Sequence, residues 1–230
     1  MMLPGLAAVA ALIFTWISMT QVSEELAISK QGQIADRYDK ALEKLSDSSA
    51  NIRRGAIFSM QGIMEDSPRE QPAVIDALSG YIRARATKNL SAEQAPDIQA
   101  AISALGHRNP SRDGKGTINL KGMRLSDADL RGVDLSEANL SGAVLPDCNL
   151  NGANLSGANL GKAVLKRADL TGANLTGANL AGADLTEASL DAAHLDGADL
   201  TGVRRPEADL STPAPSRDPS PSAGSRSAQE

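Results

Sequence analysis

The residues that could carry chemistry are few. Cys148, His107 and His194 are the only cysteine and histidines among 230 residues. A nucleophilic relay needs a thiol or hydroxyl, an imidazole and an acid within reach of one another. A structural zinc site needs four nitrogen or sulfur ligands, more than one such chain supplies. A single cysteine forms no internal disulfide, and nothing in the composition demands an oxidising compartment. Carboxylates are more numerous, and one set is ordered. Asp127, Asp147, Glu187 and Glu207 fall at steps of twenty or forty residues, and Arg167 holds the place between them. No phosphate-binding loop or dinucleotide fingerprint accompanies them, since the glycines of the SGANLG stretch belong to a repeat. The catalytic, cofactor and metal sets are therefore read as empty, and an enzyme is the weakest functional class.

What positions the ordered charges is a five-residue repeat. Leucine recurs every fifth residue from Leu120 to Leu200, gives way to Arg205 and returns at Leu210. Two residues before it stands a small or apolar residue, as at Ala128, Ala138, Ala153 and Ala173. Residues two apart on an extended chain face the same side, so each such pair points inward. Asn or Asp fills the position between, and Gly commonly follows the leucine by two, where a tight corner needs unusual backbone angles. The exceptions set the number of pentads per circuit. The Asn/Asp position departs at Arg124, Val144, Val164 and Arg204, and the corner is charged at Asp127, Asp147, Arg167, Glu187 and Glu207. Both series step by multiples of twenty, so four pentads close one turn and the five charged corners stack on one face. Aromatics make up 2% of the chain, in keeping with a core of Ala and Leu. Cys148 replaces an inward alanine, and His194 stands at an Asn/Asp position as a turn variant.

Residues 118–210, nineteen consecutive pentads of the A(D/N)LXX type shown by ANLSG (153–157), ANLTG (173–177) and ADLTG (198–202), resemble the pentapeptide-repeat family. That resemblance implies a right-handed quadrilateral β-helix. QGQIADRYDKALEKL and the stretch from Arg53 to Arg83 look like the segment preceding the repeats in membrane-associated members of the family from actinomycetes. The fold class expected is mixed: a transmembrane helix, a small α-helical segment, then the β-solenoid.

The elements before the repeats read as follows. Residues 1–23 carry no charged side chain, and Leu3 to Met19 is almost continuously apolar. This approaches the ~17–25 residues that span a bilayer core, with Trp16 near one end. A cleaved signal peptide and a buried helix are the rival assignments. Lys30, Arg37, Lys40 and Lys44 follow the stretch and no base precedes it, which places the repeats in the cytoplasm of a single-pass cell-membrane protein. Residues 24–105 have helical periodicity, with Ile34, Tyr38, Leu42 and Leu45, then Ile52, Ala56, Met60 and Ile63, then Val74, Leu78 and Ile82. Arg53, Arg54, Glu65 and Asp66 fall on the opposite faces and read as solvated. Pro72 suits a first helical turn. A short helix from Asp97 to Leu105, ended by Gly106, is expected to cover one end of the solenoid. Residues 106–115 read as a linker, 116–210 as the solenoid, and 211–230 as a Ser/Pro-rich disordered tail.

These readings favour a membrane-tethered, non-catalytic interaction or scaffolding module. Its partner would be a protein of unknown identity, with no direct contact to nucleic acid and an undetermined oligomeric state. The column Asp127, Asp147, Arg167, Glu187 and Glu207 is the expected contact, against the plainer alternative of solvated corners. The resemblance also brings a second function, a duplex-DNA mimic acting on a type II topoisomerase. Against it, the repeats hold 13 acids to 8 bases and no phenylalanine.

Overall fold

A computed structural model describes residues 3–114 and 116–205, without the side chains of residues 3–13 and 17. The expected tail at 211–230, Glu207 and the closing Leu210 lie outside the described residues.

Helix α1 (Leu3–Leu45) runs without a break through the position expected to separate an anchor from a helical bundle. At 1.5 Å per residue its 43 residues extend about 64 Å. Among the described side chains of α1, the buried apolar ones begin at Ile34 and include Ala41 and Leu45. α2 (Ala50–Asp66), α3 (Gln71–Arg85) and α4 (Pro96–Gly106) complete the helical segment. Their core is Ile57, Met60 and Ile63 of α2, Ile75, Leu78 and Ile82 of α3, and Ile98, Ile102 and Leu105 of α4. Pro72 lies in the first turn of α3, where its missing N–H leaves no helical bond unmade.

The membrane anchor needs correcting. Among the described residues, no helix is long and apolar enough to cross a membrane. From Phe14 onward α1 interleaves its apolar side chains with Thr15, Thr20, Gln21, Ser23, Glu24 and Glu25, and the same helix ends docked on α2. A single-pass cell-membrane protein with cytoplasmic repeats is therefore not supported.

Arg53 also departs from expectation. It is 6% exposed, and its Nε donates to Asp97 Oδ2 at 2.6 Å and to the Tyr81 hydroxyl at 3.0 Å. Its Nη1 donates to the carbonyls of Asp47 and Ser48. The Tyr81 hydroxyl bonds the same Asp97 oxygen. This cluster ties α2, α3, α4 and the α1–α2 turn together. A helical phase places a residue on a face but does not say whether a partner from another helix will cover it.

From Asn119 the chain winds as a four-sided coil. Bridges join residues twenty apart in parallel, as in Asn119–Asn139–Asn159–Asn179–Asp199 and Arg124–Val144–Val164–Asp184–Arg204. Rungs about 4.8 Å apart stack leucine on leucine and alanine on alanine, and Leu120 to Leu185 are all at most 1% exposed. Each buried leucine contributes about 1.5–3 kcal/mol, so these columns dominate the stability. The Asn and Asp side chains close the corners as Asx turns: Asn139 Oδ1 accepts from Ser141 N at 3.1 Å, and Asp169 Oδ1 from Thr171 N at 3.0 Å.

The first coil would present unpaired strand groups on four sides, and the helical segment meets each side differently. On the first, the Asn119 N–H donates to Ser79 Oγ and its carbonyl accepts from Arg83 Nη1 at 2.6 Å. On the second, Arg124 N donates to the Ala86 carbonyl, and a short strand β1 (Leu90–Ser91) pairs in parallel with β2 (Leu125–Ser126). On the third, the Gln99 amide bonds both backbone groups of Asp129. On the fourth, Asp134 N donates to the Gly106 carbonyl, and Arg108 Nη1 donates to the Asp134 carbonyl at 2.7 Å. Asp113 fixes the Arg108 guanidinium with both carboxylate oxygens. Gly106 is required by this approach, because a Cβ there would lie 2.6 Å from Val133 Cβ. The helix expected over 97–105 does cover this end, together with α3 and β1.

Candidate protein-interaction surface

The four walls of the coil are not equivalent. Three carry Asn, Asp, Ser or His at the outward position before the leucine, and the wall built on Leu125, Leu145, Leu165 and Leu185 carries Arg124, Val144, Val164, Asp184 and Arg204. The charged corners Asp127, Asp147, Arg167 and Glu187 end the same pentads, so the two series of exceptions share one wall. β1 adds a rung to this wall alone, and Arg124 Nε donates to Asn89 Oδ1 at 2.7 Å beside it. From Leu90 to Arg204 the wall is six rungs high, about 24 Å at the strand spacing. Glu207, the fifth member of the column, lies outside the described residues.

The corner column has a conformational property that sequence reasoning did not reveal. Asp127, Asp147, Arg167 and Glu187 have φ of 56, 59, 55 and 61°, the left-handed region that glycine enters freely. A non-glycine residue there costs roughly 1–2 kcal/mol. Each of the other three corner columns contains one non-glycine residue at positive φ: Lys162, Ala192 or Glu137. Only the charged column has no glycine among its described rungs. Lys162 and Glu137 show that a charged corner alone does not mark this column; the unbroken stack does.

Arg167 grips Asp147 one rung away with two parallel bonds, Nε to Oδ1 and Nη2 to Oδ2, each 2.6 Å. These bonds hold the Asp147 carboxyl below the usual carboxylate range and raise the Arg167 guanidinium further. The stacked like charges are thereby broken by one neutral pair, leaving Asp127 and Glu187 at its flanks. Asp184, 7% exposed, lies within 3.5 Å of Lys166 Nζ and 3.6 Å of Arg204 Nη1. Burial pushes its carboxyl up, but the Thr186 hydroxyl and N–H, then the two cations, outweigh that and hold it low. Between these charges Val144, Val164 and Pro146 are half-buried, an apolar centre within a charged rim.

The residues singled out for chemistry are scattered. Cys148 is 1% exposed in the alanine column, its Sγ is 3.5 Å from the Leu125 carbonyl, and burial pushes its thiol up to about 12. His194 is exposed on another wall, bridged to Asn174. His107 caps α4, with Nδ1 2.7 Å from the Ser103 carbonyl. Among the described residues no three His, Cys, Asp or Glu side chains gather to hold a metal. A groove of about 390 Å³ between α1 and α2, lined by Arg37, Lys40, Lys44, Ile52 and Ala56 among others, contains none of the charged column.

Comparison with known proteins bears on the coil. The family model for pentapeptide repeats matches eight copies, over residues 124–161, 148–186 and 163–202. No curated protein sequence matches the chain. Among solved structures, the chain is similar to QnrB1, a plasmid-mediated fluoroquinolone resistance protein, with 24% identity over 38% of this chain and 45% of that one, TM-score 0.36. It is similar to a pentapeptide repeat protein of the Arabidopsis thaliana thylakoid lumen, with 32% identity over 36% and 61%, TM-score 0.32. It is also similar to Rfr23 of the cyanobacterium Cyanothece 51142, with 38% identity over 43% and 77%, TM-score 0.25. The chain thus spans less than two thirds of the first two relatives and about three quarters of the third. With its repeats matched by the family model and four pentads to each turn of a quadrilateral β-helix, the chain belongs to the pentapeptide-repeat family.

Proposed function

We propose that the protein is a non-catalytic interaction or scaffolding module that engages a protein partner through the wall bearing Asp127, Asp147, Arg167 and Glu187, with Glu207 next in the same twenty-residue sequence series. The reading divides the chain into a helical part up to residue 105, a connection over 106–115, the solenoid over 116–210 and the tail beyond. The helical part serves as the cap of the solenoid.

The observation that supports this most is the coincidence of departures on one wall. Every valine at an Asn/Asp position and the one corner column without glycine among the described rungs lie together, and each such corner opposes the backbone preference of the fold. An apolar centre with a charged rim is also the usual composition of a protein-protein contact. The wall's described charges are mixed: Arg124, Lys166, Arg167, Arg204 and Arg205 stand with Asp127, Asp147, Asp184 and Glu187. A duplex mimic would present a uniformly acidic wall, so the charge pattern favours a protein contact over topoisomerase inhibition by mimicry.

The test is partner capture by the full chain and by a variant with Asp127, Arg167 and Glu187 replaced by alanine. A control variant carries alanine at Arg131, Asn151 and Asp191 on another wall. Loss of a captured protein from the first variant and retention in the control is expected. Equal capture by both removes the wall from the account.

A further inference from the structure

We infer that the exposed part of α1 pairs with the same part of a second copy of this chain, as a parallel two-stranded coiled coil over residues 15–30. The pair joins two solenoids through their helical caps. This goes beyond the wall reading and does not depend on it.

Every residue from 19 to 33 of α1 is exposed, and a helix without packing is marginal in water. The apolar side chains of this stretch are not evenly spread. Thr15, Met19, Val22, Leu26 and Ser29 follow one another at alternating steps of four and three residues. That spacing keeps one stripe turned toward a partner helix. Met19, Val22 and Leu26 at its centre are 70, 63 and 71% exposed. Ser18, Gln21, Ser23, Glu24 and Glu25 keep its surroundings polar, and from 19 to 33 Ile28 is the one large apolar residue off the stripe.

The charges beside the stripe identify the partner as a second copy. Glu25 flanks it on one side, next to Leu26, and Lys30 on the other, next to Ser29. The remaining flanking positions, Trp16, Ser18 and Ser23, are uncharged. In a parallel pair in register, a residue on the first flank meets the residue five positions later on the other chain's second flank. Glu25 then meets Lys30 of the second copy, and Lys30 meets its Glu25. In an antiparallel pair each flank faces its own kind, so Glu25 meets Ser18 or another Glu25 and never Lys30. Neither residue has a charged neighbour three or four positions along its own helix, so this complementarity is expressed between chains.

The rest of the molecule leaves room for this pairing. The face that α1 buries against α2, through Ile34, Ala41 and Leu45, is turned from the stripe by roughly a quarter of a turn. A two-fold axis along the paired helices therefore sends the two caps to opposite flanks. β-Branched residues where Thr15 and Val22 stand favour larger parallel bundles in free helices. A larger bundle, however, turns a neighbour toward the flank that α2 occupies just past the stripe, and two copies crowd least. The pair carries two charged walls on one molecule, so a partner with two binding sites would be held by both.

Cross-linking of the full chain tests the register. Cys148→Ala removes the one cysteine, and Ser29→Cys in that background sets a single thiol on the stripe. Mild oxidation should link most of this variant into a covalent dimer. Glu24→Cys in the same background, on the outer face of the helix, should stay mostly monomeric. Sedimentation equilibrium tests the charges. Glu25→Lys or Lys30→Glu alone should weaken the dimer about tenfold, and the double exchange should restore it to within about threefold. Circular dichroism verifies that each variant is folded. A wild type that stays monomeric at every concentration overturns the pairing, as does one that floats as a monomer with phosphatidylcholine vesicles. So do equal cross-linking at both positions, a trimer or tetramer, single reversals without effect, or an exchange that fails to restore. The wall reading is judged apart from this: the alanine variant at Asp127, Arg167 and Glu187 should pair like the wild type whether or not it loses a captured protein.

Discussion

The Gln99 side chain takes the place of a missing strand: its Nε2 donates to the Asp129 carbonyl at 2.6 Å, and its Oε1 accepts from the Asp129 N–H at 3.2 Å. An amide side chain carries the same donor and acceptor as a peptide group, so one residue on α4 completes one side of the first coil. Ser79 with Arg83, β1 with Ala86, and Gly106 with Arg108 complete the other three. The helical segment is therefore continuous with the solenoid in hydrogen bonding as well as in core packing. Its mechanical role is that of a cap.

Gln99→Leu keeps the size of the side chain and removes both bonds. Asp129 is exposed enough for water to replace part of the loss, so the cost should be about 1–2 kcal/mol in urea unfolding. Gln99→Glu retains an acceptor for the N–H but sets a carboxylate against the Asp129 carbonyl, and should lose at least as much. Unchanged stability in both variants would show that the amide contributes nothing to the cap.

The buried Arg53–Asp97–Tyr81 cluster should be the most sensitive polar site of the helical segment. Asp97→Asn leaves a buried guanidinium without its anion and should cost about 3 kcal/mol at neutral pH. Burial raises the Asp97 carboxyl, but the Tyr81 and Arg53 bonds outweigh it and hold it below its ordinary value. Because the folded value is depressed, its stabilisation is complete above the ordinary carboxylate range, near pH 4, and is lost as pH falls through the folded value. Tyr81 behaves in the opposite sense. Burial and Asp97 push its hydroxyl from 10.0 to about 12, so its share of stability is full below pH 10 and disappears between about 10 and 12. Urea midpoints from pH 2 to 11 should fall at both extremes in the wild type. The acid limb should be shallower in Asp97→Asn, and an equal acid limb would contradict the assignment.

Cys148 should be inert while the coil is intact. Its thiol is buried and pushed up to about 12, so an aromatic disulfide reagent at pH 8 meets almost no thiolate. Reaction should proceed only at the rate of coil opening and become immediate in denaturant. Cys148→Ala restores the residue found through most of that column and should change stability by less than about 1 kcal/mol. Rapid labelling of the folded chain would mean that the coil opens locally at the pentad 148–152.

Much of the coil was legible because its information is periodic. Leu125, Leu145, Leu165 and Leu185 announce an inward column, and Val144 and Val164 disclose the twenty-residue circuit through their departure from Asn. The cap was not legible in the same way. Ser79, Gln99 and Arg108 are ordinary residues for their helix or turn, and nothing local marks them as partners of Asn119, Asp129 and Asp134. β1 is two residues long, too short for any alternation to show. Arg53 read as solvated because its covering groups, Asp97 and Tyr81, come from 44 and 28 residues away. The apolar start of the chain read as separate because composition changes at residue 24, whereas α1 continues through that point. The charged column was found, but its left-handed backbone was not, since Asp and Glu at a corner do not reveal which φ they adopt.

The central claim is that the column Asp127, Asp147, Arg167 and Glu187 is kept for contact at the expense of backbone comfort. Replacing Asp127 and Glu187 by glycine separates the two quantities, and the measurement is thermal midpoint alongside partner capture on the same full-length variant. The account predicts a higher midpoint, from about 1 kcal/mol of relieved strain at each position, together with weakened capture. Capture equal to wild type in the stabilised variant would contradict it, and the column would then be no more than a row of solvated corners.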